Sequence, residues 1–219
     1  MSVVDYVEEL EVLADGTNIT LNGPKLFRLD SYKLTGEVLS LALTNPNYNY
    51  NRLTLFDNLG NVVFRSSNAY NINQNVIIDP TLTYFLHIDT GATTDTVYVT
   101  YSTQDLYTIS SNYFNAVAGT LTTTNKTVGT TCTYSITANA NVTVSFRLLT
   151  SYNSSYNSFT VYKNSYTTSV NYSSDTYRYN EITLYAGDTL VFEYNNNYAE
   201  YNPTTDDTIY IKDLTVKAR

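Results

Sequence analysis

His87 and Cys132 are the only histidine and the only cysteine among 219 residues, and they set what chemistry the chain can carry. Nucleophilic hydrolysis needs a base, most often His, beside Ser or Cys. His87 lies in Tyr84-Phe-Leu-His-Ile-Asp, where strand alternation puts it on the opposite face from Tyr84, Leu86 and Ile88. No Gly-x-Ser-x-Gly elbow occurs. His87 therefore reads as a half-exposed strand residue. Cys132, in Thr131-Cys-Thr-Tyr, reads as a small buried apolar one. One His and one Cys cannot close a zinc site. Calcium takes loop oxygens, and Asp206-Asp207 or Asp89 with Asp95 could supply them. Neither pair sits in a recognised loop pattern, so both read as solvated carboxylates. A glycosidase needs only two carboxylates. Glu181 and Glu193, on neighbouring predicted strands, are the pair the sequence nominates. The missing base and nucleophile give the expectation of a non-enzymatic chain with no catalytic residues, no metal and no cofactor.

Binding chemistry is better supplied. Three loops are dense in aromatic and amide side chains: Asn45-Pro-Asn-Tyr-Asn-Tyr-Asn, Tyr152-Asn-Ser-Ser-Tyr-Asn and Asn195-Asn-Asn-Tyr-Ala-Glu-Tyr-Asn. Tyr48, Tyr50, Tyr152, Tyr156, Tyr198 and Tyr201 are the candidate contact residues. A sugar stacks its apolar face on such rings while Asn, Asp and Thr bond its hydroxyls. Tyr equally suits a protein interface, with large area and a polar tip. The chain has no Trp, which tilts these loops towards protein contact. Asn-x-Ser/Thr sequons stand at Asn18, Asn125, Asn141, Asn153 and Asn171 and nominate glycan attachment on an exterior face.

Composition narrows the classes further. Net charge is −8, and Lys and Arg are scattered singly, so attraction to nucleic acid or an anionic membrane is not expected. No stretch approaches 18 apolar residues, so no membrane-spanning helix is expected. The opening Met1-Ser-Val-Val-Asp lacks a charged region and a long apolar run, which reads as synthesis and folding in the cytosol. A lone cysteine forbids an intrachain disulfide, so oligomeric packing is the expected source of added stability.

The positioning elements must be strands. Tyr, Thr, Val and Ile dominate, and helix formers thin out after the first fifteen residues. Ser2–Asp15 has Val3, Val7, Leu10 and Ala14 at helical spacing but alternates late; a short helical arm and an N-terminal strand both stay open, entering the first strand near Glu11. Eight strands are then predicted at 18–21, 25–29, 38–43, 52–56, 62–65, 75–78, 84–88 and 96–101. A second eight follow at 116–123, 132–138, 143–149, 158–162, 168–172, 180–185, 189–194 and 208–216. Four segments match in order at an offset near 105 that grows to 112 in the last, a drift that fits a loop insertion around 195–203. They begin at Glu11 and Asn115, Leu39 and Val144, Arg52 and Ser158, and Asp95 and Asp207. This predicts a tandem duplication with a boundary near 102–112: an N-terminal domain over 1–105, with an arm over 1–14, and a C-terminal domain over 106–219. The expected fold is all-β, two β-sandwiches. Ala186-Gly187-Asp188 between two strands, with the closing Ile209-Tyr-Ile-Lys-Asp-Leu-Thr-Val, looks like the end of a jelly roll.

In its Tyr-, Asn- and Thr-rich composition and modular layout, the chain resembles the turret and vertex proteins of archaeal icosahedral viruses, above all those of Sulfolobus turreted icosahedral viruses. It departs from thermophile habit in being charge-poor and Asn-rich. The resemblance implies a structural virion protein, made in the host cytoplasm and acting by symmetric packing. It further implies a homo-oligomer, a pentamer in a turret, packed with other capsid proteins. The first domain would lie next to the capsid and the second would project outward. The alternative is a carbohydrate- or receptor-binding module of a phage fibre or adhesin, contacting a host surface glycan or receptor.

Overall fold

Alternation of apolar and polar side chains puts one face of each strand in a core, and it does so through most of this chain. In Val38-Leu-Ser-Leu-Ala-Leu-Thr, Leu39, Leu41 and Leu43 are fully buried while Ser40 and Ala42 are partly exposed. The computed structural model describes residues 10–45, 50–117, 120–123, 129–151, 157–196 and 208–219. It divides into two compact units, Met1–Asp105 and Leu106–Arg219.

The first unit contains β1 (Thr17–Leu21), β2 (Lys25–Arg28), β3 (Val38–Thr44), β4 (Arg52–Asp57), β5 (Val62–Arg65), β6 (Asn71–Ile77), β7 (Tyr84–Asp89) and β8 (Asp95–Gln104), with a short 3-10 turn at Ser31–Lys33. They form two four-stranded antiparallel sheets, ordered β1-β8-β3-β6 and β2-β7-β4-β5. A leucine-rich core lies between them, with Leu39, Leu41 and Leu43 from one sheet and Leu53, Leu55 and Leu86 from the other. Each such side chain contributes roughly 1.5–3 kcal/mol on burial. Tyr101 ties three segments together. Its hydroxyl donates to the Leu13 carbonyl at 3.0 Å and accepts from the Asp30 N–H at 3.2 Å, and its own N–H donates to Asp15 Oδ1 at 2.9 Å.

The second unit contains β9 (Tyr107–Asn112), β10 (Phe114–Val117), β11 (Thr120–Thr123), β12 (Thr130–Ala138), β13 (Val142–Ser151), β14 (Ser158–Lys163), β15 (Tyr166–Thr167), β16 (Arg178–Leu184), β17 (Thr189–Asn196) and β18 (Thr208–Ala218). Two five-stranded sheets result, ordered β10-β11-β18-β13-β16 and β15-β14-β17-β12-β9. Phe146 on β13 meets Phe192 on β17 edge-to-face, ring centroids 4.9 Å apart, so the core lies between these sheets too. Without the edge strands β9 and β10, the orders β11-β18-β13-β16 and β15-β14-β17-β12 repeat those of the first unit. The sequence matches fall on strands that hold equivalent places: β3 and β13, β4 and β14, β8 and β18, with the fourth running into β1 and β11.

Four expectations need correction. The first strand, β1, starts at Thr17 and not near Glu11; in the described part of the arm, residues 10–14, Val12 makes a single β-bridge to Arg28 and Leu13 is in the core, while 1–9 lie outside the described residues. The strand predicted over 116–123 is two strands, β10 and β11, paired antiparallel. The strand predicted over 168–172 is absent; only Tyr166–Thr167 pairs, with β14, and Asn171 and Tyr172 are exposed. Those residues have strand-forming side chains but no buried face to anchor them. Conversely β9 lies in the stretch read as a boundary, where it extends the second sheet beyond β12.

Candidate functional site

Parity assigns the outer faces. On β17, Leu190, Phe192 and Tyr194 are buried, so Thr189, Val191, Glu193 and Asn195 face outward. The register sets Tyr162 opposite Val191, Thr160 opposite Glu193 and Ser158 opposite Asn195. On the other side of β17, β12 brings Thr131, Thr133, Ser135 and Thr137 into the same rows. The result is a broad face of hydroxyls and amides in which, among the described residues, Glu193 is the only ionisable carboxyl or amine on the strands. A cleft of about 520 Å³ opens on it, lined by Tyr162, Asn164, Ser165, Thr189, Val191 and Glu193. Glu193 Oε1 accepts from Asn195 Nδ2 at 3.0 Å, and Asn195 Oδ1 in turn accepts from Thr131 Oγ1 at 2.6 Å. Among the described residues no Lys or Arg pairs with Glu193.

One rim of the cleft is the β14–β15 turn. Asn164 and Ser165 have φ of 51° and 68°, the two left-handed residues that a tight hairpin of this twist requires and that Asn tolerates best. The turn is bolted to Asp188. Asn164 Nδ2 donates to Asp188 Oδ1 at 2.6 Å, Asn164 Oδ1 accepts from the Thr189 N–H at 2.8 Å, and the Asn164 N–H donates to the Thr189 carbonyl at 2.9 Å. Asp188 Oδ2 also accepts from the Tyr185 N–H at 2.9 Å and pairs with Lys163 Nζ at 3.0 Å. The Asn164 amide, the Tyr185 N–H and the Lys163 ammonium together hold the Asp188 carboxyl at about 2, below its ordinary 3.8. Lys163 is thereby neutralised and further donates to the Thr183 carbonyl at 2.8 Å. The Ala186-Gly187-Asp188 segment is thus a buttress, with Gly187 at φ 89° allowing the chain to pass from one sheet to the other.

The nominated carboxylate pair does not meet. Glu181 is exposed on β16, beside the buried Asn180 and Ile182, and β16 belongs to the opposite sheet from β17. Glu181 and Glu193 therefore stand on the outer faces of two different sheets, not on neighbouring strands, with the core between them. Of the six candidate tyrosines, Tyr50 is described and is 55% exposed; Tyr48, Tyr152, Tyr156, Tyr198 and Tyr201 lie outside the described residues. Asn18, Asn141 and Asn171 are exposed, and Asn141 Oδ1 accepts from the Ala186 N–H at 3.2 Å. Asn125 and Asn153 lie outside the described residues, as do Asp206 and Asp207. Asp89 and Asp95 serve their own turns: Asp89 Oδ1 accepts from the Gly91 N–H, and Asp95 accepts from Asn45 Nδ2 and the Thr96 N–H. Among the described residues no cluster of three His, Cys, Asp or Glu could hold a metal ion. His87 is half-exposed and Cys132 is buried. The sequence reading missed Tyr162 and Asn164; the alternation of Ser158-Phe-Thr-Val-Tyr-Lys already put Thr160 and Tyr162 on one face.

No family model matches the chain, and no curated protein does. Among solved structures it is similar to the tandem CBM51 (carbohydrate-binding) modules of a family 98 glycoside hydrolase from Streptococcus pneumoniae, at 10% identity and TM-score 0.31, covering 92% of this chain and 83% of that one. It is similar to the N-terminal tandem CBM22 domain of Xyn10C from Paenibacillus barcinonensis, at 10% identity and TM-score 0.33, covering 90% and 82%. It is also similar to the secreted serine protease VesC from Vibrio cholerae, at 8% identity and TM-score 0.34, covering 99% and 53%. Likenesses this weak do not speak to what this chain binds.

Proposed function

We propose that the chain is a glycan-binding protein and that the β14–β17 face of its second unit binds a neutral saccharide. The observation that supports this is the cleft itself: an aromatic ring and an apolar side chain, Tyr162 and Val191, beside the Glu193 carboxyl, which pairs with no cation among the described residues, with Asn164 and Thr189 fixed at the rim. A sugar ring has an apolar C–H face that suits the Tyr162 ring. Its vicinal hydroxyls are donors that a carboxylate accepts in pairs. A few convergent polar groups on a partly apolar floor are what orient a small ligand. The absence of any cation on the strands of this face disfavours acidic sugars. The strand orders support reading both units as jelly rolls, two Greek keys wound together, and as tandem copies of one domain.

The test is a glycan array with the whole chain, followed by titration of the best neutral oligosaccharide. Tyr162→Ala and Glu193→Gln are each expected to weaken binding about tenfold or more with an unchanged circular dichroism spectrum. No binding to any neutral glycan, or binding indifferent to both substitutions, would refute the proposal.

A second reading, a structural subunit of an archaeal virion that packs as a homo-oligomer with other capsid proteins, is supported by the same repeated strand order, since jelly rolls serve both capsids and lectins. Native mass spectrometry separates the two: a stable ring without glycan affinity supports the virion reading, and a glycan-binding monomer sinks it.

A further inference from the structure

The repeated strand order lets the two outer faces be superposed position by position. In the second unit Tyr162 pairs with Val191 and Thr160 with Glu193. In the first unit the equivalent strands, β4 and β7, pair Phe56 with Phe85 and Thr54 with His87. Phe56 thus stands where Tyr162 stands, and His87 stands where Glu193 stands. Parity confirms the facing: Tyr84, Leu86 and Ile88 belong to the core, and Phe85 and His87 do not. Phe85 is only 6% exposed and forms the floor, leaving Phe56 as the half-exposed ring.

What surrounds the two positions differs in charge. Around Glu193 the described residues of the strands contribute no cation to this face. Around His87 they contribute three arginines. Arg28 on β2 pairs with Phe85, Arg65 on β5 pairs with Thr54, and Arg52 on β4 lies one step along the same face, opposite Asp89. Arg52 is held by Asn68, whose Oδ1 accepts from Nε at 3.2 Å and from Nη2 at 3.1 Å. Among the described residues neither Arg28 nor Arg65 pairs with a carboxylate. They flank the Phe56–His87 position from the two edges of a four-stranded sheet, three strand spacings or roughly 14 Å apart. Three of the chain's twelve Lys and Arg therefore gather on one sheet face of a protein with net charge −8.

We infer that this face of the first unit is a second glycan site, selective for saccharides that carry carboxylate or sulfate groups. The inference rests on the glycan-binding reading of the second unit. The arginine forks take the acidic groups in bidentate fashion, the Phe56 ring takes the apolar face of a sugar, and the half-exposed His87 lies between, over the buried Thr54. The two units then share one scaffold position with opposite preference, neutral in one and acidic in the other.

The experiment titrates the whole chain with three probes: an oligogalacturonate, a chondroitin sulfate oligosaccharide and a neutral oligosaccharide taken from the array. Wild type is expected to bind at least one acidic probe, more weakly as salt rises. The pair Arg28→Ala with Arg65→Ala should weaken that binding by about tenfold to a hundredfold and leave the neutral probe untouched. Tyr162→Ala should do the reverse. A uronate preference over sulfate, or the opposite, names the acidic group. Acidic binding that survives the double arginine substitution overturns the inference, as does its absence in wild type. So does loss, in the arginine variant, of a concentration-dependent self-association seen without any glycan affinity, which would make a second copy the occupant. Loss of neutral binding alone would remove the proposal for the second unit and leave this one standing. Phe56→Ala gives a further reading: it should weaken acidic binding while the arginines remain.

Discussion

Replacing Asp188 by Asn should separate the buttress from the cleft it supports. The Asp188 carboxyl is pulled down to about 2 from 3.8 by the Asn164 amide, the Tyr185 N–H and the Lys163 ammonium. A fall from 3.8 to about 2, at 1.36 kcal/mol per unit, corresponds to at most about 2.5 kcal/mol of stability. The group is well covered, with 16% side-chain exposure, so screening removes only part of this. Asn can keep its oxygen on the Tyr185 N–H and Lys163 Nζ, which share Oδ2, but its amide nitrogen then faces Asn164 Nδ2, another donor. The expected loss is therefore about 1–2 kcal/mol, or roughly 5–15 °C in the melting transition of the second unit. The folded pKa is depressed, so the stabilisation is fully present above about pH 4 and is lost as the pH falls towards about 2. Urea denaturation followed by circular dichroism, at intervals from pH 7 to pH 2.5, should show the gap between wild type and Asp188→Asn narrowing over that interval and in no other. The variant should also bind the neutral saccharide less well, because Asn164 and Ser165 lose their anchor. A gap under 0.5 kcal/mol at pH 7, or one that persists unchanged at pH 2.5, would refute the assignment of the low pKa to this network.

Other substitutions probe the scaffold. Phe192→Ala removes the ring that Phe146 meets at 4.9 Å and should cost about 3–5 kcal/mol, read as early unfolding in a urea titration of the second unit. Tyr101→Phe leaves the Leu13 carbonyl and the Asp30 N–H without that hydroxyl; a loss of about 1–2 kcal/mol is expected by the same method. Gly36→Ala would put a Cβ 2.4 Å from the Gln104 carbonyl oxygen, and a backbone oxygen cannot swing aside as a side chain does. A loss of about 1–3 kcal/mol in the first unit is expected, and a neutral outcome in thermal melts would mean that β3 and β8 can separate at that end.

The strands were legible because the period of two survives in nearly all of them. Leu39, Leu41 and Leu43, or Leu53 and Leu55, announce a buried face without any partner being known. The sequence could not announce which strands pair. β16 and β17 are joined by a tight connection yet belong to different sheets, so sequence proximity suggested neighbours where the chain crosses the core. That one step misplaced Glu181 against Glu193. Edge strands fail for a related reason: β9 and β15 are exposed along most of their length, and little burial marks them. At 168–172 the β-branched residues carried the expectation alone: the Thr168 N–H donates to the Val161 carbonyl at 2.8 Å and Asn171 is held by the Asn180 side chain, but no ladder continues past Thr167.

The candidate site was less legible than the fold, and the reason is the division of labour between the two faces of a strand. Inward positions are constrained by packing, so Leu55 and Val161 correspond, as do Leu53 and Phe159, with apolar character kept throughout. Outward positions answer to no core, and there Phe56 corresponds to Tyr162 and His87 to Glu193. A histidine and a glutamate that were weighed separately as catalytic parts turn out to occupy one position in a repeated sheet. Glu193 is across the core from Glu181, and His87 stands opposite Thr54 in the register of β4 and β7. Each has an aromatic ring on the adjacent strand, two residues along from the residue it pairs with. An aromatic ring beside a polar group on a rigid sheet suits the glycan recognition proposed above, because two or three outward residues can differ between the units while the strand order is kept.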